Sequence, residues 1–155
     1  MMTDNLHLTG KVHSITNVID YVADPLASYF DVTHDTSHSL LLESAEIDSK
    51  DNLKSIMLLD ACVRFECNGL VVRADALNAN GENALRVLVS ALGLFVTKQS
   101  SNSAEFTFSL PNDQCDEDTR LKSTGVFDVL RHCVNDIEHD RSLPFAVFLG
   151  GCFAY

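Results

Sequence analysis

One stretch constrains the fold more than any other: VRFECNGLVVRADA, Val63 to Ala76. Val63, Phe65 and Cys67 alternate with Arg64 and Glu66, the two-residue period of a strand with one apolar face. Asn68-Gly69 follows, and both residues tolerate the positive φ that the central positions of a type I′ turn require. Leu70, Val72 and Ala74 alternate beyond it, so a two-residue loop pairs Cys67 with Leu70, Phe65 with Val72 and Val63 with Ala74. The result is an antiparallel hairpin whose apolar face must be covered by another layer.

Helical patterns supply that cover. Asn80 can cap a helix carrying Leu85, Leu88, Val89 and Leu92 at i, i+3, i+4 and i+7, with Gly93 placed to end it. EFTFSL, 105 to 110, is a further alternating strand with Phe106 and Phe108 on one face. Pro111 to Asp118 reads as an acidic loop, and from about Ser123 a second helix carries Phe127, Leu130, Cys133, Val134 and Ile137. Nearer the N-terminus, Asp24-Pro25 is a helix opening, Asp as cap and Pro in the first turn, with a short helix over Pro25 to Phe30. Strands and helices in mixed order with sequential hairpin pairing give an α+β fold with an antiparallel sheet and covering helices, one domain over 1–155.

LLLESAEID, Leu40 to Asp48, is the least expected stretch. Three leucines fit a buried strand, yet they run into Glu43 and Ser44. SAEIDSKDN, 44 to 52, is rich in turn-forming residues and should connect two strands. Lys54 follows. A carboxylate, a hydroxyl and an ammonium at the mouth of an apolar strand are the complements of an amino acid's ammonium, carboxylate and apolar side chain. The bland alternative is a solvent-facing strand end that caps the next turn.

Other constellations are weaker. His34 and His38 are four apart, a zinc spacing only if HDTSH were helical, and the intervening Asp-Thr-Ser favours a polar loop over 33–38. DEDTR, 116 to 120, could offer carboxylates to a hard cation but reads as a solvated loop. His132 and His139 have no motif partner and read as exposed or locally bonded. Five cysteines (62, 67, 115, 133 and 152) at irregular spacings read as reduced thiols, mostly small core residues. No phosphate-cradling or nucleophile-elbow motif occurs, so no catalytic residue and no metal ligand is assigned.

Twenty-two acids against eleven bases give a net charge of −11, a field that repels nucleic acid and anionic membrane surfaces. The longest apolar runs fall far short of the roughly 20 residues that span a bilayer, and the N-terminus lacks a signal peptide's basic start and apolar centre. A cytoplasmic location follows. FAVFLGGCFAY, 145 to 155, ends the chain on strand-like residues without a polar tail, either a terminal strand or the interior of a longer protein.

LLLESAEIDSKDNLKSIMLLDACVRF closely resembles the N-terminal segment of the large, chorismate-utilising subunit of anthranilate synthase, component I, in enteric-type bacteria. The resemblance continues through NANGENALRVLVSAL, DEDTRLKSTGVFDVLR and FLGGCFAY, and so covers most of the chain from about Asp24. It implies an N-terminal regulatory portion of a larger α+β sandwich, cut within a strand that continues in the family. The full enzyme would convert chorismate and ammonia, delivered from glutamine by an amidotransferase subunit, to anthranilate and pyruvate with Mg2+, inhibited by L-tryptophan. In the family the LLES strand lies in the tryptophan pocket, which implies effector roles for Ser44, Glu43, Leu42 and Lys54. The chorismate and Mg2+ residues would lie in a C-terminal catalytic part outside this chain, which by itself would be inactive. Alternatives are an aminodeoxychorismate or isochorismate synthase, or a free-standing amino-acid-binding or interaction module; the intact LLES and SKDNLKS argue for the feedback-regulated branch.

Overall fold

The structure, a computed structural model, describes residues 10–20, 22–33, 36–43, 55–110 and 116–139. Its strands are β1 (Gly10–Lys11), β2 (Leu40–Glu43), β3 (Ser55–Leu58), β4 (Val63–Asn68), β5 (Val71–Ala76), β6 (Val96–Gln99), β7 (Ser103–Thr107) and β8 (Ile137–Glu138). Its helices are α1 (Pro25–Val32), α2 (Ala79–Ala91), α3 (Glu117–Lys122) and α4 (Asp128–Asn135). The fold is α+β. Its described residues form two compact units, one from 10–14 and 62–139, the other within 15–61.

The larger unit is built on an antiparallel sheet of order β4-β5-β7-β6. Val72 and Ala74 of β5 pair with Phe106 and Ala104 of β7, and all four are buried in one core with Leu85 and Leu88 of α2 and its C-cap Leu92. Val129 and Cys133 of α4 complete that core. Phe106, Leu88 and Val129 are fully buried, each worth about 1.5–3 kcal/mol by area. Phe108, just past β7, stacks on Phe95 at 4.9 Å, and its N–H donates to the Leu70 carbonyl at 2.9 Å. A short parallel pair, β1 with β8, brings Gly10 opposite Ile137, and Gly10 lies close to Val87 on a second buried face of α2.

The hairpin forms with a register displaced by two residues. Asn68 pairs with Val71, Cys67 with Val72, Phe65 with Ala74 and Val63 with Ala76, leaving Gly69-Leu70 as the loop. Gly69 takes φ +59° at the first loop position, as a type II′ turn requires, and Asn68 stays in the strand. A shift of two leaves every side chain on its expected face, so the apolar face survives the error.

Several expectations need correction. The cap of α2 is Asn78, whose side chain accepts from Gly81 N at 3.1 Å, not Asn80, which lies within the helix. α2 ends at Ala91 with Leu92 as its C-cap, directly before Gly93 as expected, and Gly93 then opens a short 3-10 turn to Phe95 that leads into β6, a strand the sequence pattern did not reveal. The second helix does not begin at Ser123: α4 starts at Asp128, and its buried stripe is Val129 and Cys133, with Phe127 and Val134 exposed and Ile137 already in β8. DEDTR is no loop from Glu117 on, because Glu117 and Asp118 sit in the first turn of α3, where the helix dipole favours acids, and Lys122 pairs with Asp118 at 2.6 Å. Of the described cysteines only Cys133 is buried; Cys62 and Cys67 are exposed near the hairpin's ends. Cys115, Cys152, His34 and FAVFLGGCFAY lie outside the described residues.

Candidate functional site

The smaller unit carries the candidate site. Asp24 caps α1 as expected, its carboxylate accepting from Ala27 N at 2.9 Å, and the helix runs on to Val32. Only Tyr29 of α1 is buried, and its hydroxyl shares a hydrogen bond of 2.6 Å with Ser39 Oγ, directly before β2. Of HDTSH, Thr36–His38 forms a 3-10 turn, and His34 lies outside the described residues.

β2 and β3 pair antiparallel: Leu40 with Leu58, Leu41 with Met57, Leu42 with Ile56 and Glu43 with Ser55. The turn-rich segment after Glu43 therefore connects two strands, as its composition predicts. Leu40 and Leu41 are half-buried while Leu42 (43% exposed) and Glu43 are open, so the three leucines do not make a strand buried on both faces. Ser44 and Lys54 lie outside the described residues, but in sequence they are the neighbours of Glu43 and Ser55, which pair with each other. Alternation along a strand separates the two described candidates: Leu42 shares a face with Ile56, Glu43 the opposite face with Ser55, Leu41 and Met57. The sequence missed Tyr29–Ser39, for which no spacing rule exists.

The sheet unit offers no comparable site. Its outer face carries a row of alternating charge across all four strands: Glu66 opposite Arg73, Arg73 opposite Glu105, and Glu105 opposite Lys98. Lys98 donates to Glu105 and, with Thr97 and Arg73, holds that carboxyl below its ordinary range. Arg64 and Arg73 both reach Asp75, at 3.1 and 2.9 Å. Opposite charges that satisfy one another on an exposed face read as a solvated surface. A basin of about 320 Å³ beside β1 and β8 is lined by Lys11, His13, Glu138 and His139, and Lys11 keeps the Glu138 carboxyl lowered by donating to it at 2.8 Å. His139 Nδ1 donates to the Ile137 carbonyl at 2.9 Å and His132 Nδ1 meets Asp136 Oδ2 at 2.5 Å, so both histidines are locally bonded as expected. Among the described residues no three His, Cys, Asp or Glu side chains gather as a metal site, and no helix is long and apolar enough to cross a membrane.

No protein-family model matches the chain. Over 152 residues it is 41% identical to anthranilate synthase component 1 of Vibrio cholerae, covering 97% of this chain and 29% of that protein. Over 136 residues it is 40% identical to the Escherichia coli protein of the same name, covering 87% of this chain and 26% of that one. A Citrobacter freundii sequence, again anthranilate synthase component 1, is 39% identical over 137 residues, 86% of this chain and 89% of its own. The chain thus spans under a third of the length of the first two relatives. The Vibrio alignment takes in 97% of the chain, so the likeness also reaches residues before Asp24.

Proposed function

The chain belongs to the anthranilate synthase component 1 family, and we propose that it is the N-terminal, effector-sensing portion of such a subunit. The whole protein would make anthranilate and pyruvate from chorismate and ammonia in tryptophan biosynthesis, with a glutamine amidotransferase as the partner that the word component in its relatives' names suggests. L-Tryptophan is the proposed inhibitor. Chemistry is assigned to a C-terminal part of the same chain, because a lyase acting on a dianion needs positioned donors and Mg2+ at its leaving groups. Among the described residues no three His, Cys, Asp or Glu side chains gather to hold such an ion.

One observation supports the sensing role: the β2–β3 register pairs Glu43 with Ser55, and Ser44 and Lys54 are their neighbours in sequence. In the proposed site three polar groups of complementary kinds, Glu43, Ser44 and Lys54, act together at one end of this strand pair. In the proposed arrangement Glu43 accepts from the tryptophan ammonium, Lys54 and Ser44 serve its carboxylate, and Leu41, on the same face of the ladder as Glu43, meets the ring. Binding favours a low-activity arrangement only by the difference in affinity between two states, a coupling on the order of 1–3 kcal/mol. The test is Ser44→Phe in the full-length enzyme: inhibition by tryptophan should weaken at least tenfold, the equivalent of about 1.4 kcal/mol of lost affinity. Unchanged sensitivity would refute the site, and an open reading frame that stops at Tyr155 would refute the longer subunit.

A further inference from the structure

We propose that Tyr29 is a positioning residue for the effector site, acting through Ser39 on the strand that carries it; this rests on the tryptophan-site reading above. Tyr29 is 8% exposed, and a phenol hydroxyl so placed is costly unless it is bonded. Its partner is Ser39 Oγ at 2.6 Å, the residue immediately before β2. Phe30 meets the Tyr29 ring edge-on, with centroids 5.6 Å apart at 66°. The Tyr29 carbonyl also accepts from Thr33 N at 3.0 Å at the end of α1, so the residue is anchored in its own helix.

The other side of the same root is also tied. His38, one residue earlier, accepts from Ala61 N at 3.4 Å, just beyond β3. The strand pair is thus fastened where it begins, by α1 on one strand and by the residues after β3 on the other, while Glu43 lies at its far end. Four residues of extended chain separate Ser39 from Glu43, about 14 Å, too far for Tyr29 to touch a ligand there. Its influence must pass through the strand. A hydrogen-bonded ladder tilts as a unit, so a loosened root shifts the far end and degrades the aim of the ligand-binding groups.

The experiment uses the full-length subunit with its amidotransferase and measures the tryptophan concentration for half-inhibition in Tyr29→Phe, Ser39→Ala and the double variant. Tyr29→Phe should raise it about fivefold, the net worth of one hydrogen bond, Ser39→Ala at least as much, and the double variant no further than Ser39→Ala, since either change removes the Tyr29–Ser39 bond. Asn78→Ala, which removes a helix cap in the sheet unit, supplies a stability loss of similar size and should leave half-inhibition unchanged. Wild-type sensitivity in Tyr29→Phe and Ser39→Ala, with Ser44→Phe desensitised, would overturn the inference and leave the site reading intact. An equal shift in Asn78→Ala would also overturn it, by reducing the effect to general stability. Full sensitivity in Ser44→Phe would instead remove the site reading on which the inference stands.

Discussion

Gly81 lies so close to the backbone of Cys62 that a β-carbon added to it would stand 1.9 Å from the Cys62 carbonyl oxygen and 3.1 Å from Ala76 Cα. The first turn of α2 therefore presses directly on the ends of the β4–β5 hairpin, and Asn78 fixes that approach by capping the Gly81 N–H. Gly81→Ala should force helix and hairpin apart at a cost of about 2 kcal/mol or more, as overpacking of a close contact does. Gly93→Ala is the control: nothing lies within 4 Å of its added carbon, and stability should hold or rise by up to about 1 kcal/mol. Urea unfolding of the two variants decides it, and equal midpoints would contradict the close approach.

Most of the sheet was legible before the structure, because alternation of apolar residues depends on burial alone and the hairpin presents a clear case. The register was not. Asn-Gly and Gly-Leu are both acceptable two-residue loops, and a shift of two keeps the same faces, so apolar alternation fits either register equally well. Asn78 and Asn80 are equally good caps in isolation; the contact of Gly81 with Cys62 selects the first. The apolar residues of α4 were misassigned for a similar reason, since the helix starts later than its pattern suggests and turns Val129 rather than Phe127 inward. At the candidate site the strand and its connection could be read, whereas the Tyr29–Ser39 bond joins residues ten apart with no pattern to announce it.

The turn makes a separate prediction. Gly69 at φ +59° has open space around it, so a side chain there meets strain and no clash. Gly69→Asn should cost less than Gly69→Val, which should cost about 1–2 kcal/mol, because asparagine adopts a positive φ more readily than a β-branched residue does. Thermal melting of both would check the order, and a valine variant as stable as the asparagine one would show that the turn is built otherwise.

Thiol chemistry should divide the described cysteines. Burial, with smaller contributions from Cys62 and Asp136, pushes the Cys133 thiol up to about 12, so at pH 8 it holds almost no thiolate. Cys62 and Cys67 are exposed and should be alkylated by iodoacetamide in the native protein while Cys133 reacts only on unfolding. Peptide mass spectrometry after brief labelling reads this out directly, and early modification of Cys133 would contradict its place in the core.

Acid should weaken the junction before α4. Burial raises the Asp128 carboxyl, but the Gly125 N–H at 2.6 Å and Arg131 at 2.7 Å outweigh it, and the group titrates below its ordinary value of 3.8. A carboxyl depressed in the folded state contributes stability that is fully present above its unfolded value and is lost as pH falls through the folded one. Asp128→Asn should therefore flatten the loss of stability below about pH 4. Unfolding followed between pH 6 and pH 2.5 tests it, and identical acid limbs for the variant and wild type would remove Asp128 from the account.

Leu42 and Glu43 make the sharpest demand on the effector reading. Adjacent in β2, they project from opposite faces of the β2–β3 ladder, Leu42 beside Ile56 and Glu43 beside Leu41, Ser55 and Met57. A ligand seated on one face meets only one of the two side chains. In the full-length enzyme Leu42→Ala and Glu43→Gln should therefore not act alike: one should raise the half-inhibitory tryptophan concentration about tenfold or more, and the other should change it less than about threefold, the residue of an indirect effect. If Glu43 is the sensitive one, Met57→Ala should follow it, because Met57 lies on the same face and would form part of the apolar floor. If Leu42 is, Ile56→Ala should follow instead. Equal and large losses from both Leu42→Ala and Glu43→Gln would mean that tryptophan does not bind across a face of this ladder at all.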